Sequence, residues 1–139
     1  MTIQMGTTNS YKLETLQGIH DFTSDTINIA LYANPDANLT IDTTEYTSLG
    51  EISDVEYTAG GRPLSISEGP VIECNSAIIR FDDQTFGCLR SEIDGALIYN
   101  ASKANRSIMV LSFPVTQRPD GREFQIQFPI TAPPLIVHV

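Results

Sequence analysis

The chain has 139 residues, 41% of them apolar and 18% charged, with 17 acidic against 8 basic side chains and a formal charge of −9. That length suits one domain with a real core and leaves little room for a second. The acidic balance argues against nucleic acid as a partner and favours a basic protein surface, and no stretch approaches the ~20 apolar residues of a membrane helix.

Met1 to Asn9 is polar and without periodicity, which predicts a flexible N-terminal arm (residues 1–9) ahead of a single domain over residues 10–139. From Ser10, a candidate cap, Tyr11, Leu13, Leu16 and Ile19 line one side of a short helix that Gly18 weakens near its end. Asp21 to Asp25 is a turn, and Thr26 to Tyr32 sets Ile27, Ile29 and Leu31 on one face at strand spacing. Ala33 to Thr44, with Asn34-Pro35-Asp36, suits a loop carrying at most a short edge segment at Leu39 to Ile41. Val55 to Thr58 reads as extended, running into a bend at Gly60-Gly61.

After Pro63, Leu64 and Ile66 alternate with serines, and Ser67 to Pro70 turns the chain toward Val71 and Ile72. The stretch Ser76 to Asn100 reads as a core hairpin of two strands, Ala77 to Phe81 and Ala96 to Tyr99, joined by an acidic connection with Asp82, Asp83, Glu92 and Asp94. Ser107 to Phe113 is a strongly apolar strand, Pro119-Asp120-Gly121 a turn, and Phe124, Ile126 and Phe128 alternate with glutamines as a half-buried strand. Ile130 and Leu135 to Val139 carry an apolar pattern to the last residue, which predicts a strand fixed in a sheet. Roughly seven to nine short strands, one short N-terminal helix and no βαβ alternation predict an all-β chain, an antiparallel β-sandwich or jelly roll.

Chemical motifs are sparse. Asp82-Asp83 invites a metal or acid/base reading, but neighbours in a strand point to opposite faces, so a solvated strand end is the better home. His20 and His138 are the only histidines, without a metal-site or nucleophile context; His20 is expected to cap or pack at the helix end. Cys74 and Cys88 are too few for a disulfide scaffold and lack metal-site spacing, and they read as reduced, partly buried thiols. Tyr11, Tyr32, Tyr46, Tyr57 and Tyr99 are expected at strand ends with their hydroxyls toward water. No catalytic residue, cofactor-binding residue or metal ligand is assigned. With no basic segment followed by an apolar run at its start, the chain is expected to be soluble and made in the cytoplasm.

The segments FTSDTINIALY (Phe22 to Tyr32), EYTAGG (Glu56 to Gly61), IIRFDD (Ile78 to Asp83), GALIYN (Gly95 to Asn100) and NRSIMVLSF (Asn105 to Phe113) occur in this order. The combination resembles a group of small structural proteins of tailed bacteriophages, over roughly Tyr11 to the C-terminus. The resemblance implies a non-enzymatic virion component assembled from the host bacterial cytoplasm. Its expected role is a capsid decoration or cement subunit, with a tail or head-to-tail accessory, or a carbohydrate- or receptor-binding fibre module, as the alternatives. It also implies other virion proteins as partners, through strand edges, the arm 1–9 and the loop Ala33 to Thr44, and a homo-oligomer without nucleic acid or membrane.

Overall fold

The computed structural model describes residues 2–33, 36–127 and 135–137. Among the described residues the chain is mostly β, with antiparallel sheets and one short helix. Its centre is a five-stranded sheet in the order β2 (Gly6–Thr7), β10 (Arg106–Gln117), β9 (Ile93–Asn100), β3 (Ile27–Tyr32) and β5 (Arg62–Pro63), every neighbouring pair antiparallel. Every residue of β9 is buried. A strand flanked on both edges and covered on both faces has no position for a solvated side chain, and IDGALIYN accordingly carries a single carboxylate, Asp94.

Two further sheets hold the remaining long strands. In one, β7 (Ser76–Phe81) runs between β6 (Ile66–Glu73) and β12 (Leu135–Val137); in the other, β8 (Gln84–Leu89) pairs with β11 (Arg122–Ile126). The larger core cluster takes Ile29, Leu31, Ile93, Ile98 and Ile108 from the five-stranded sheet, and Ile79, Phe81, Phe86, Leu89 and Ile126 from the other two. A second cluster on the opposite face joins Ala30, Tyr32, Leu97, Tyr99 and Val110 to Ala37 and Leu39. Alternation along β3 and β9 therefore feeds two cores, one on each side of the sheet.

The expected core hairpin from Ser76 to Asn100 does not form. β7 and β9 lie in different sheets, and the segment between them contains β8, whose Phe86 and Leu89 are fully buried. The sequence QTFGCL conceals this strand because only Phe86 and Leu89 are large inward residues, too few for an alternation signal. The turn expected over Ser67 to Pro70 is also absent: Ile66–Glu73 is one strand, with register shifts on both sides of Glu68 that absorb Gly69 and Pro70. The expected extended segment Val55 to Thr58 is not one: Val55 and Glu56 form a turn closed by the Asp54–Tyr57 bridge, and Val55 is 96% exposed.

The helix α1 spans Asn9–Leu16, and its cap is Thr8, whose side chain accepts the Tyr11 N–H, not Ser10. Its inner face is Tyr11 and Glu14; of the apolar side expected for the helix Tyr11 faces inward, while Leu13 and Leu16, 58% and 76% exposed, face outward. Tyr11 and Glu14 share one side because they stand three residues apart, and Arg106 and His20 meet Glu14 on that side. The residues expected as an arm lie along two sheets: β1 (Thr2–Ile3) runs parallel to β4 (Asn38–Leu39), and β2 pairs with Met109 and Val110 of β10. The proposed Asn34-Pro35 turn, Phe128, Ile130, His138 and the end of the predicted terminal strand lie outside the described residues.

Candidate functional site

The carboxylates singled out in the sequence are dispersed. Asp82 and Asp83 are exposed between β7 and β8, and the Asp82 N–H donates to the Ser65 carbonyl at 2.8 Å. Glu92 pairs with Arg118 Nε at 3.0 Å, with both side chains more than half exposed. Asp94 is buried and accepts the Thr116 hydroxyl. Among the described residues no three His, Cys, Asp or Glu side chains are grouped so as to hold a metal ion. Cys74 and Cys88 are free and exposed, not partly buried. Cys74 sits with Asn75 in the left-handed turn between β6 and β7, and Cys88 lies opposite Glu123 on β8.

Two polar clusters do form, and neither is visible in the linear sequence. The first surrounds Glu51. Its carboxylate accepts the hydroxyls of Tyr46 and Tyr57, the latter at 2.5 Å, and the Gly60 N–H at 2.8 Å. Tyr57 also accepts the Leu31 N–H at 3.0 Å, Tyr99 donates to the Gly60 carbonyl at 2.6 Å, and Tyr32 donates to the Thr47 carbonyl at 2.6 Å. Four of the tyrosines thus turn their hydroxyls inward, contrary to the expectation of hydroxyls facing water. Burial, then the neighbouring Glu51 charge, raises the phenol pKa of Tyr32 well above its ordinary value; for Tyr46 and Tyr57 burial comes first, then the hydrogen bond to Glu51, with the Glu51 charge adding to both. The cluster ties the irregular segment 45–61 to β3 and β9. Gly61 permits the close approach: at φ +80° a Cβ there would lie 1.8 Å from the Ile29 carbonyl oxygen.

The second cluster lies at the end of α1. His20 Nε2 is 2.8 Å from Glu14 Oε1, and His20 Nδ1 is 3.0 Å from Asn100 Nδ2. Asn100 Nδ2 also donates to Asp25 Oδ2 at 2.7 Å, Lys103 Nζ bonds Asp25 at 2.8 Å, and Arg106 reaches Glu14 Oε2 at 3.0 Å. The His20 side chain is 1% exposed and stacks near Tyr11 and Phe22, with ring centroids 5.1 and 6.4 Å away. Burial acts to raise the Asp25 carboxyl, but hydrogen bonds from Asn100, Lys103 and the Asp21 N–H, with the Lys103 charge, outweigh it and hold the group at about 2. A cavity of about 160 Å³ adjoins the ring, walled by Tyr11, Phe22, Pro70, Ile78 and Ile79. The Tyr11 hydroxyl is buried without a hydrogen-bond partner among the described residues, and Thr15 Oγ1 donates instead to the Tyr11 backbone carbonyl at 2.9 Å.

The surface elements expected to meet partners are arranged differently from the sequence reading. The former arm and loop are largely each other's partners: Thr2 and Ile3 sit opposite Asn38 and Leu39, Gln4 N–H donates to the Leu39 carbonyl, and Asn9 donates to Asp42. Apolar side chains remain uncovered elsewhere. Ile72 is 77% exposed on β6, the outer strand of its sheet, and Val115 is 66% exposed on β10. Glu68 and Glu73 flank the β6 site, and both pair with Arg80 of β7. No helix among the described residues is long and apolar enough to cross a membrane.

No family model matches the chain, and no curated protein or solved structure matches it.

Proposed function

We propose that the protein is a non-enzymatic structural subunit of a tailed bacteriophage particle, a capsid decoration or cement subunit that binds the assembled head. The observation that carries this reading is the ordered set of segments from Phe22 to Phe113 that resembles structural proteins of that group. The surface supports it. An acidic chain that leaves Ile72 uncovered on an outer strand and Val115 uncovered on β10 offers apolar contact within a field that attracts a basic partner. The inward consumption of the tyrosine, histidine and carboxylate groups described above fits a role in holding shape. Attachment to the lattice, and not to free subunits, would add the binding free energy to the stability of the shell.

For the fold we propose the antiparallel sandwich or jelly-roll arrangement. Its support is the larger core cluster, which takes side chains from the five-stranded sheet on one side and from the strands of two other sheets on the other.

The test is quantitative: measure copies of this chain per purified particle and its position in a cryo-EM map. A copy number that scales with the capsid subunits, at the outer radius of the head, is the expected result. A handful of copies at the neck or tail would overturn the decoration reading in favour of an accessory subunit. Binding on a glycan array without binding to capsid protein would favour a receptor-binding module.

A further inference from the structure

The buried chain of bonds around His20 has a fixed polarity, and that polarity makes it sensitive to one proton. The Ser102 backbone N–H can only donate, so the atom it meets at 3.0 Å is Asn100 Oδ1 acting as acceptor. A carboxylate can only accept, and Asp25 is held ionised far below neutrality, so Asn100 Nδ2 donates to it. Both ends of the amide are therefore committed, and the second proton of Nδ2 meets His20 Nδ1 at 3.0 Å. Nδ1 must carry a lone pair there, which places the ring proton on Nε2, donating to Glu14 at 2.8 Å.

Charge agrees with this assignment. The charged groups around the ring are Glu14 on α1, Asp25 in the following turn, Lys103 in the turn after β9 and Arg106 on β10. Asp21 meets Asp25 through its backbone and commits its own carboxylate to Thr23 and Ser24. Tyr11 is the remaining titratable neighbour, at ring distance. Two carboxylates and two cations balance while the ring is neutral; a charged ring leaves a net positive cluster around a side chain that is 1% exposed.

We propose that this chain of bonds is an acid-released latch, in which a proton taken up at His20 Nδ1 opens the contact to Asn100 and frees the end of α1 and the turn 17–25 from the corner between β9 and β10. A proton on Nδ1 sets an N–H against the Asn100 amide protons. Rotating the amide does not resolve the conflict, because it would turn the NH₂ group toward the Ser102 N–H and the oxygen toward the Asp25 carboxylate, two repulsive contacts in place of one. Glu14 attracts the charged ring, but its other oxygen is already engaged by Arg106 at 3.0 Å. The ring is the part able to move, since His20 lies in the irregular stretch between α1 and β3 while Asn100 is held in β9.

The test uses the full chain. Nitrogen-15 spectra of the histidine rings at pH 7.5 should show His20 as the neutral Nε2–H tautomer. Amide exchange over α1, corrected for intrinsic rate, should lose about tenfold in protection between pH 7.5 and 5.5, while β9 keeps its protection. His20→Gln, which retains a donor and an acceptor but does not titrate, should show no such change. An Nδ1–H or charged ring at pH 7.5, equal α1 protection at both pH values, or a pH response surviving in His20→Gln would overturn the proposal. The first two measurements need only the natural chain, so the proposal stays refutable where the variant does not fold.

Discussion

Replacing Glu51 by alanine tests whether the tyrosine cluster fixes the segment 45–61. Three donors converge on this carboxylate: the hydroxyls of Tyr46 and Tyr57 and the Gly60 N–H. Hydrogen bonds to a charged group contribute about 1.5–3 kcal/mol each, so a simple sum reaches about 4.5–9 kcal/mol. That sum overstates the loss, because bonds sharing one acceptor are not additive and Tyr46, which is half-buried, regains water. Tyr57 is 8% exposed, and its hydroxyl proton loses its acceptor outright while the oxygen still receives the Leu31 N–H. One buried donor left unsatisfied costs about 1–3 kcal/mol, and adding a partial loss at Gly60 and Tyr46 gives about 3–4 kcal/mol for Glu51→Ala. Glu51→Gln keeps an acceptor for Tyr57 and Gly60 and can donate to Tyr46, so about 1–2 kcal/mol is expected.

The chain has no tryptophan, so urea unfolding is followed by far-UV circular dichroism and tyrosine fluorescence. The Glu51→Gln and Tyr57→Phe changes, combined in a double-mutant cycle, should show a coupling of about 1–2 kcal/mol. A loss below about 1 kcal/mol for Glu51→Ala at an unchanged denaturant slope would refute the reasoning. The segment would then be held by its apolar contacts alone, Ile52 and Tyr57 among them.

Phe86→Ala should cost about 3–5 kcal/mol by urea unfolding, because the ring is fully buried among Tyr57, Phe124 and the Arg62 guanidinium. Gly61→Ala should be far more disruptive than Gly18→Ala: both glycines have positive φ, but an added methyl meets the Ile29 carbonyl at the first and open space at the second. The Gly18 change should cost about 1–2 kcal/mol from backbone strain, and the excess at Gly61, read as a difference in melting temperature or in soluble yield, measures the clash. In an alkaline titration followed at 295 nm, native protein should show little phenolate at pH 10, with the absorbance appearing on unfolding. All five tyrosines are raised above the ordinary phenol value, chiefly by burial. A folded pKa above the unfolded one means stability that is intact below pH ~10 and declines as pH rises beyond it, so the urea midpoint should fall between pH 9 and 11.

The strands that alternate cleanly or run apolar were legible. Thr26 to Tyr32 and Ser107 to Phe113 fall within or close to Ile27–Tyr32 and Arg106–Gln117, because their period and β-branched content leave no competing reading. The one helix was legible as an element but not in its orientation. Its inward polar residue Glu14 answers to Arg106 and His20, and no helical periodicity reveals Arg106, 92 positions away in the chain, or a histidine six residues on and beyond the helix end. The same separation hides the Asn100–His20 contact, which spans 80 positions. For Glu51 the distances are short, five residues to Tyr46 and six to Tyr57, yet the spacing matches neither a helix nor a strand, so no pattern marked the three as a unit.

The presence of β8 within Ser76 to Asn100 bears on where a partner would sit. Read as a hairpin, the stretch makes Asp82 to Asp94 one acidic loop, a single patch facing a neighbouring subunit. With β8 inside it, the patch breaks up: Asp82 and Asp83 stay at one end, Glu92 is neutralised by Arg118 at the other, and Asp94 is buried under Thr116. The acidic character that remains exposed is therefore spread over the surface and steers association more than it specifies contact. Specific contact then falls to shape and to the uncovered apolar groups. Of these, Ile72 lies on an outer strand whose Pro70 lacks an N–H, a feature that obstructs edge-to-edge addition of another strand. A partner at β6 is accordingly expected to cover its side chains rather than extend its hydrogen-bond ladder. Under the proposed decoration role, Ile72→Ser should weaken attachment to the capsid without lowering the urea midpoint, whereas undiminished attachment would move the contact to another face.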